Sequence, residues 1–475
     1  MSRLPREGEI IDGFTLVEQI HRGGMAVIWR VAHPDHALPL CMKLPLILEG
    51  DEPGMIVSFE AEQMILPRLT GPHVPRVVAV GDFTDTPHIV MERIEGKAIE
   101  AHLARAPLPW TEVAAIGVET AKALHSLHKQ NCIHLDVKPG NVVIRPDGSA
   151  ALIDFGLSRH GDLPDLLAEE TRLPIGTGAF IAPEQVLGRR TDPRSDLFAL
   201  GAVMHLLATG RHPFGESVAG AALRERLWRD PVPPRAIVRD LSPVAQEIIL
   251  KCLSVEPDER FASAAQLAYA LRNQQAVRLT QRAERLAQDS WWTVMKRKRR
   301  APKALPPNPV SGGAANALII VAAVDLSDEQ AELAAEVKRV LSRILAIEPG
   351  SRLVCVNVFR TSRIGIDQMV TDDGESLHVR RLVELRQWSA DLPLDGERVS
   401  HHVLEAPDPA DAIVQFVKRN QVDHLVMGAR TASQFRRYLG SVSSAVVAEA
   451  PCSVTIVRLP ARGDDEGEGD VALAG

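Results

Sequence analysis

Apolar positions in the first hundred residues fall into short alternating runs broken by polar turns. Phe14-Thr15-Leu16-Val17 and Val27-Ile28-Trp29 flank Arg22-Gly23-Gly24-Met25-Ala26, a pattern that predicts strand, glycine turn, strand. Leu40-Cys41-Met42 predicts a third strand ending on Lys43, and Ile89 to Ile94 another. Between them, Phe59 to Leu66 places its apolar residues at helical spacing, with Glu60 and Glu62 on the helix. The period then lengthens. Ala114 to His128 predicts an amphipathic helix, and Arg194 to Gly201 opens a long apolar one. In between, two apolar segments each deliver an Asp at the end: Ile133-His134-Leu135-Asp136-Val137-Lys138-Pro139-Gly140-Asn141, and Ala150-Ala151-Leu152-Ile153 before Asp154-Phe155-Gly156.

From Leu318 onward the pattern alternates strand and helix. Strands are expected at Leu318–Val324, Leu353–Val358, His424–Met427 and Ser453–Val457, with helices at Glu329–Leu345, Ala410–Asn420 and Ser441–Ala450. Such alternation predicts an α/β domain with a parallel sheet and helices on both faces. The connecting stretch shifts in composition: Arg278 to Arg285 suits a helical extension, and Trp291-Trp292 precedes Lys296-Arg297-Lys298-Arg299-Arg300. Pro302 to Gly313 is Pro/Gly-rich linker chemistry. The expected domains are therefore 14–272, a linker at 273–314, 315–459, and an acidic disordered tail at 460–475.

A length of 475 residues agrees with more than one core. The net charge of -7 argues against a nucleic-acid binder, and five scattered cysteines without ligand spacing point to a reducing compartment without disulfides. No secretory leader is evident at Met1 to Glu7, and no apolar run approaches the roughly 18–20 residues that cross a bilayer. A cytoplasmic location is expected. The aromatic pair beside five basic residues suits weak contact with an anionic membrane surface; a solvated linker with its tryptophans packed on the preceding domain is the favoured reading.

Two apolar segments, each delivering an Asp at its end, have the makings of a metal-phosphate site built on a hairpin. Glycines at Gly23 and Gly24 let backbone amides approach phosphate oxygens. Together with Lys43, Glu62 and Ala182-Pro183-Glu184, these motifs resemble the bacterial eukaryotic-like serine/threonine protein kinases over residues 14–272. The resemblance implies a two-lobed α+β kinase fold using ATP with Mg2+, or Mn2+ in its place. It casts Asp136 and Lys138 as catalytic and Asn141 and Asp154 as metal ligands. Ile20, Gly23, Gly24, Ile28, Lys43, Glu62, Met91, Glu92 and Val143 become the ATP pocket, Met91 standing at the gatekeeper position. Glu60 is the fallback partner for Lys43.

The same resemblance makes Thr177 the bridge to Asp136 and Lys138. Thr171 and Ser158 become exposed hydroxyls for autophosphorylation, with Thr171 preferred, and Glu184, Asp196 and Arg260 structural residues. His21 and Ala26 depart from the family's glycines, and Leu135 replaces its usual Arg. That Arg meets a phosphate on the activation segment in the family, so control by phosphorylation at Thr171 is expected to matter less here.

Val422 to Gly428, Leu439-Gly440-Ser441-Val442 and Ala450 to Val454 resemble the universal stress protein family, whose sheet is flavodoxin-like or Rossmann-like. By that resemblance Asp325, Gly428, Gly440 and Ser441 outline a second nucleotide site. Thr431 in place of a glycine and a shortened spacer disfavour it, leaving homodimerisation or partner binding for this domain. The expected activity is transfer of the ATP γ-phosphate to Ser/Thr hydroxyls of proteins, this one included, in stress signalling. The alternative is a nucleotide-binding pseudokinase scaffold.

Overall fold

A computed structural model describes residues 5–46, 53–83, 86–170, 174–215, 220–300, 317–361, 376–394, 398–429 and 441–459. The chain divides into two compact units, the second beginning at Ala317.

In the first unit, β1 (Ile10–Ile11), β2 (Phe14–Arg22), β3 (Ala26–Ala32), β4 (Leu40–Pro45), β5 (Val77–Gly81) and β6 (His88–Glu92) form an antiparallel sheet ordered β1-β2-β3-β4-β6-β5. Strand alternation buries Leu16, Val27, Trp29, Val31, Met42 and Val90 in one cluster. The register pairs Lys43 with Ile28 on one side and Ile89 on the other, so the lysine sits mid-sheet beside the β2–β3 turn. That turn is closed by Gly23 N–H donating to Ala26 O at 2.9 Å. Helix α1 (Pro53–Ile65) begins before the expected Phe59.

A mainly helical lobe follows. Its elements are β7 (Lys97–Ala98), α2 (Trp110–His128), β8 (Cys132–Ile133), β9 (Val142–Ile144), β10 (Ala150–Leu152), β11 (Arg159–His160), α3 (Leu166–Glu170), α4 (Pro183–Val186), α5 (Arg194–Thr209), α6 (Gly220–Glu225), α7 (Pro234–Ile237), α8 (Pro243–Cys252), α9 (Ala264–Arg272) and α10 (Trp291–Arg300). Helix α5 is buried on every side from Ser195 to Thr209, as an all-round apolar helix must be. Gly201 lets α8 come close, because a Cβ there would lie 2.5 Å from Cys252 Cβ. The β9–β10 hairpin sets the chemistry: Asn141 precedes β9, Asp154 follows β10, and Ile153 N–H donates to Asn141 O at 3.0 Å.

Two expectations for the connecting stretch need correction. Arg278 to Arg285 is not helical. Buried Gln246 donates to the carbonyls of Arg282 and Arg285, both at 2.8 Å, and buried Glu247 accepts from Thr280, so α8 takes groups that a helix would pair internally. The tryptophans do not pack on the lobe either: Trp291 is 61% and Trp292 77% exposed. Cations anchor α10 instead. Arg297 pairs with Asp230 and Asp289, both at 3.0 Å, and Lys298 lies over the Trp228 ring.

The second unit is a three-layer α/β sandwich. β12 (Ile319–Ala323), β13 (Arg352–Arg360), β14 (Val399–Ala406), β15 (His424–Gly428) and β16 (Ser453–Val457) run parallel in the order β14-β13-β12-β15-β16. Helices α11 (Ala331–Ile347) and α12 (Leu377–Ser389) pack on one face and α13 (Pro409–Arg419) and α14 (Ser441–Glu449) on the other. Strand β14 and helix α12 add to the expected elements. The strand's Ser400, His401, His402 and Glu405 hide its β character, as an edge position allows.

Candidate active site

Lys43 gathers the upper half of the site. Its Nζ lies 2.5 Å from Glu62 Oε2 and 2.8 Å from Asp154 Oδ1, joining β4, α1 and the loop after β10. Glu62 Oε1 also accepts from Phe155 N–H at 3.2 Å, and Ser58 Oγ donates to Gly156 O at 2.9 Å. Two α1 side chains thus grip the Asp154-Phe155-Gly156 turn; Ser58 went unrecognised in the sequence because a serine on a helix carries no distinguishing pattern. Burial works against the Lys43 charge, but Glu62 and Asp154 overcome it and hold the ammonium above its usual range. Burial opposes the Asp154 charge too, yet Lys43 keeps that carboxyl below its ordinary value. Burial raises Glu62 against the pull of Lys43.

Asp136 anchors the lower half. Its Oδ1 accepts from Thr177 Oγ1 at 2.6 Å and Thr177 N–H at 3.1 Å; its Oδ2 accepts from Lys138 Nζ at 2.7 Å and Asn141 Nδ2 at 2.9 Å. Lys138 also reaches Thr177 Oγ1 at 3.2 Å. Four donors fix a single rotamer for a carboxylate that is only 6% exposed. Because the Asn141 amide nitrogen faces Asp136, its Oδ1 is the atom left to meet a cation. With the Asp154 carboxylate it forms a pair of hard oxygens at the two ends of one hairpin, which fits magnesium.

Ile20 is exposed on β2, Gly23 and Gly24 occupy the turn, and Ile28 is half-buried on β3. Met91 and Val143 are buried. The Glu92 carboxylate is committed to Arg145 Nη1 at 3.0 Å, and its N–H donates to Arg76 O at 2.8 Å.

Below, buried Asp196 accepts from His134 N–H and Leu135 N–H at 2.9 and 2.8 Å and fixes the backbone before Asp136. Glu184 and Arg260 form a buried two-bond pair at 2.6 and 2.8 Å, joined by Ser195 Oγ at 2.6 Å. Ser158 corrects an expectation: it is 2% exposed and donates to His134 O at 3.1 Å, so it is no surface hydroxyl. Thr171 lies outside the described residues, and Glu60 is buried on α1 beside the pair that Glu62 makes.

The second unit holds a cavity of about 350 Å³ lined by Asp325, Asn357, Arg360, Met427, Gly428 and Ser441. It opens at the C-terminal ends of β12 and β15, where the strand order reverses, the usual ligand crevice of such sheets. Asp325 accepts from Ser327 N–H at 3.1 Å. Gly428 has a packing reason of its own, since a Cβ there would lie 2.7 Å from Leu333 side-chain atoms. Thr431 and Gly440 fall outside the described residues.

Comparison with known proteins agrees with this division. The family model of the protein kinase domain matches residues 14–271, and that of the universal stress protein family residues 318–458. A probable serine/threonine-protein kinase of Corynebacterium efficiens is 30% identical over 269 residues, 54% of this chain and 41% of its own length. The probable serine/threonine-protein kinase PknB of Corynebacterium glutamicum is 30% identical over 268 residues, 54% of this chain and 42% of its own. The chain thus spans less than half the length of these relatives. The crystal structure of the Mycobacterium tuberculosis PknI kinase domain is 27% identical, covers 57% of this chain and 99% of that one, and has a TM-score of 0.45.

Proposed function

Since the chain belongs to the protein kinase domain family and carries a C-terminal universal stress protein domain, we propose that it transfers the γ-phosphate of ATP to Ser/Thr hydroxyls of proteins, its own included, in stress signalling. The observation that supports this most directly is the Lys43 ammonium shared by Glu62 and Asp154 within an intact Asp136 network. Phosphoryl transfer needs mainly positioning and charge neutralisation. Lys43 supplies the cation for the nucleotide's phosphates, held in place by Glu62. Asp136 accepts or orients the proton of the incoming hydroxyl, and Lys138 screens the moving phosphoryl group. Asn141 and Asp154 would hold magnesium, which neutralises phosphate charge when bound. Incubation with ATP and a generic basic protein, comparing wild type with Asp136→Asn, tests the reading. Absence of transfer by the wild type, to itself included, leaves a nucleotide-binding scaffold.

The cavity ending β12 and β15 supports a second reading: the stress-protein domain takes a nucleotide through Asp325, Gly428, Gly440 and Ser441 and biases the kinase. Photolabelling of the full chain with an azido-ATP analogue, blocked at the first site by Lys43→Met, tests it; no label within 317–459 leaves dimerisation or partner binding. The described residues contain no helix long and apolar enough to cross a membrane. We assign a cytoplasmic location, with α10 making weak contact with anionic bilayers.

A further inference from the structure

The loop between α4 and α5 delivers one guanidinium deep into the segment that follows Asp154. Arg190 Nε lies 3.1 and 3.0 Å from the two oxygens of Asp165, and its Nη2 donates to Leu157 O at 3.0 Å and Ser158 O at 3.4 Å. Arg159 Nε stands 3.6 Å from the same carboxylate. The side chains of Arg190, Arg159 and Asp165 are 5%, 10% and 15% exposed, so this is a buried cluster rather than a screened surface pair.

Asp165 does a second thing. It caps α3, its Oδ1 accepting from Ala168 N–H at 3.2 Å and its carbonyl from Glu169 N–H at 3.1 Å. The helix so started buries Leu166 and Leu167 against Val57 and Met64 of α1. Helix α1 carries Glu62, which reaches Lys43, and Ser58, which reaches Gly156. A continuous path of bonds and packed side chains therefore runs from Arg190 through Asp165 and α3 to the Lys43–Glu62 pair. Arg190 closes the path at its other end through the carbonyls just past Gly156. Leu135, beside Asp136, is apolar and 3% exposed and brings no cation to this region.

We infer that Asp165 and Arg190 are positioning residues for the proposed phosphoryl transfer, a built-in carboxylate–guanidinium clamp that sets α1 and the segment after Asp154 without phosphorylation. The inference rests on the kinase reading for its effect on rate, though not for its effect on structure. Asp165→Asn separates the two jobs of the residue, since Asn caps a helix as well as Asp but carries no charge. Arg190→Met removes the fork while keeping much of its volume.

The test is steady-state phosphorylation by the full chain together with amide hydrogen exchange. Each single variant should lose about tenfold in kcat with KM for ATP within about threefold of wild type, and the double variant should be no worse than either single. Exchange should accelerate across Leu166–Glu170 and Pro53–Ile65 in both. Phosphatase-treated wild type should retain its rate. An Asp165→Asn protein with more than half the wild-type kcat, unchanged exchange in α1, or loss of activity on phosphatase treatment overturns the inference. If the wild type transfers no phosphate, the kinase reading fails instead, and the exchange measurement still decides whether the clamp sets α1.

Discussion

The Thr177 hydroxyl donates to Asp136 Oδ1 at 2.6 Å while Lys138 approaches the same hydroxyl at 3.2 Å. A residue far along the chain from the catalytic loop is thereby written into its geometry. Thr177→Val removes donor and acceptor at nearly constant volume and should lower kcat by about 10–100-fold, whereas Thr177→Ser should stay close to wild type. Initial-rate kinetics on a generic basic substrate check both, and equal losses in the two variants would show that the hydroxyl alone does not account for the effect.

Glu184 and Arg260 pose a question of stability rather than rate. Their side chains are 5% and 0% exposed, so Arg260→Ala leaves a carboxylate buried without its partner and should cost about 3–5 kcal/mol. Replacing both together with Glu184→Leu and Arg260→Met should cost less than the single change. Urea unfolding of the full chain, followed by exchange of α5 amides, measures the difference.

His401 gives the second unit a pH dependence. Burial, then Arg386 and His402, push its pKa down to about 3, and Ser389 Oγ lies 2.7 Å from its Nε2. The unfolded chain takes up this proton below about pH 6.5 and the folded one does not, so the unfolded state binds more protons across that window. Stability of this unit should fall as pH drops from about 6.5 toward 3, and His401→Gln should flatten the fall. Exchange of β13 and β14 amides against urea at several pH values reads it out.

Helix α10 turns Trp292, Lys296 and Arg299 to one side, while Arg297 and Lys298 pin the other to Asp230, Asp289 and Trp228. The full chain should therefore co-sediment with phosphatidylserine vesicles, at about 1 kcal/mol per engaged cation, and not with neutral phosphatidylcholine ones. Trp291→Ala with Trp292→Ala should abolish the association. Equal partition to both vesicle types, or to neither, counts against the membrane role.

Much of this was legible in the residues. Lys43, Glu62, Asp136, Asn141 and Asp154 were legible because their motifs together resemble those of the kinase family, and the structure gathers them in two linked networks. What escaped was set by tertiary partners. Arg278 to Arg285 has helical composition, but Gln246 and Glu247 compete for its backbone. Ser158 is polar and sits in a loop, yet its hydroxyl is taken by His134 O. Arg190 reads as one more surface cation after a short helix; only a chain fold that returns Asp165 to it reveals a pair. The start of α3 did leave a trace, an Asp followed by Leu-Leu-Ala-Glu, which is a capping residue before good helix formers.

Gly428 carries a lesson about signatures. A Cβ at that position would lie 2.7 Å from Leu333 Cγ and Cδ2, so helix-to-sheet packing is itself a reason for glycine there, whether or not a phosphate ever approaches. Counting a residue under such steric demand as a mark of nucleotide affinity counts the architecture twice. In the stress-protein domain the diagnostic positions are those that architecture leaves free to vary.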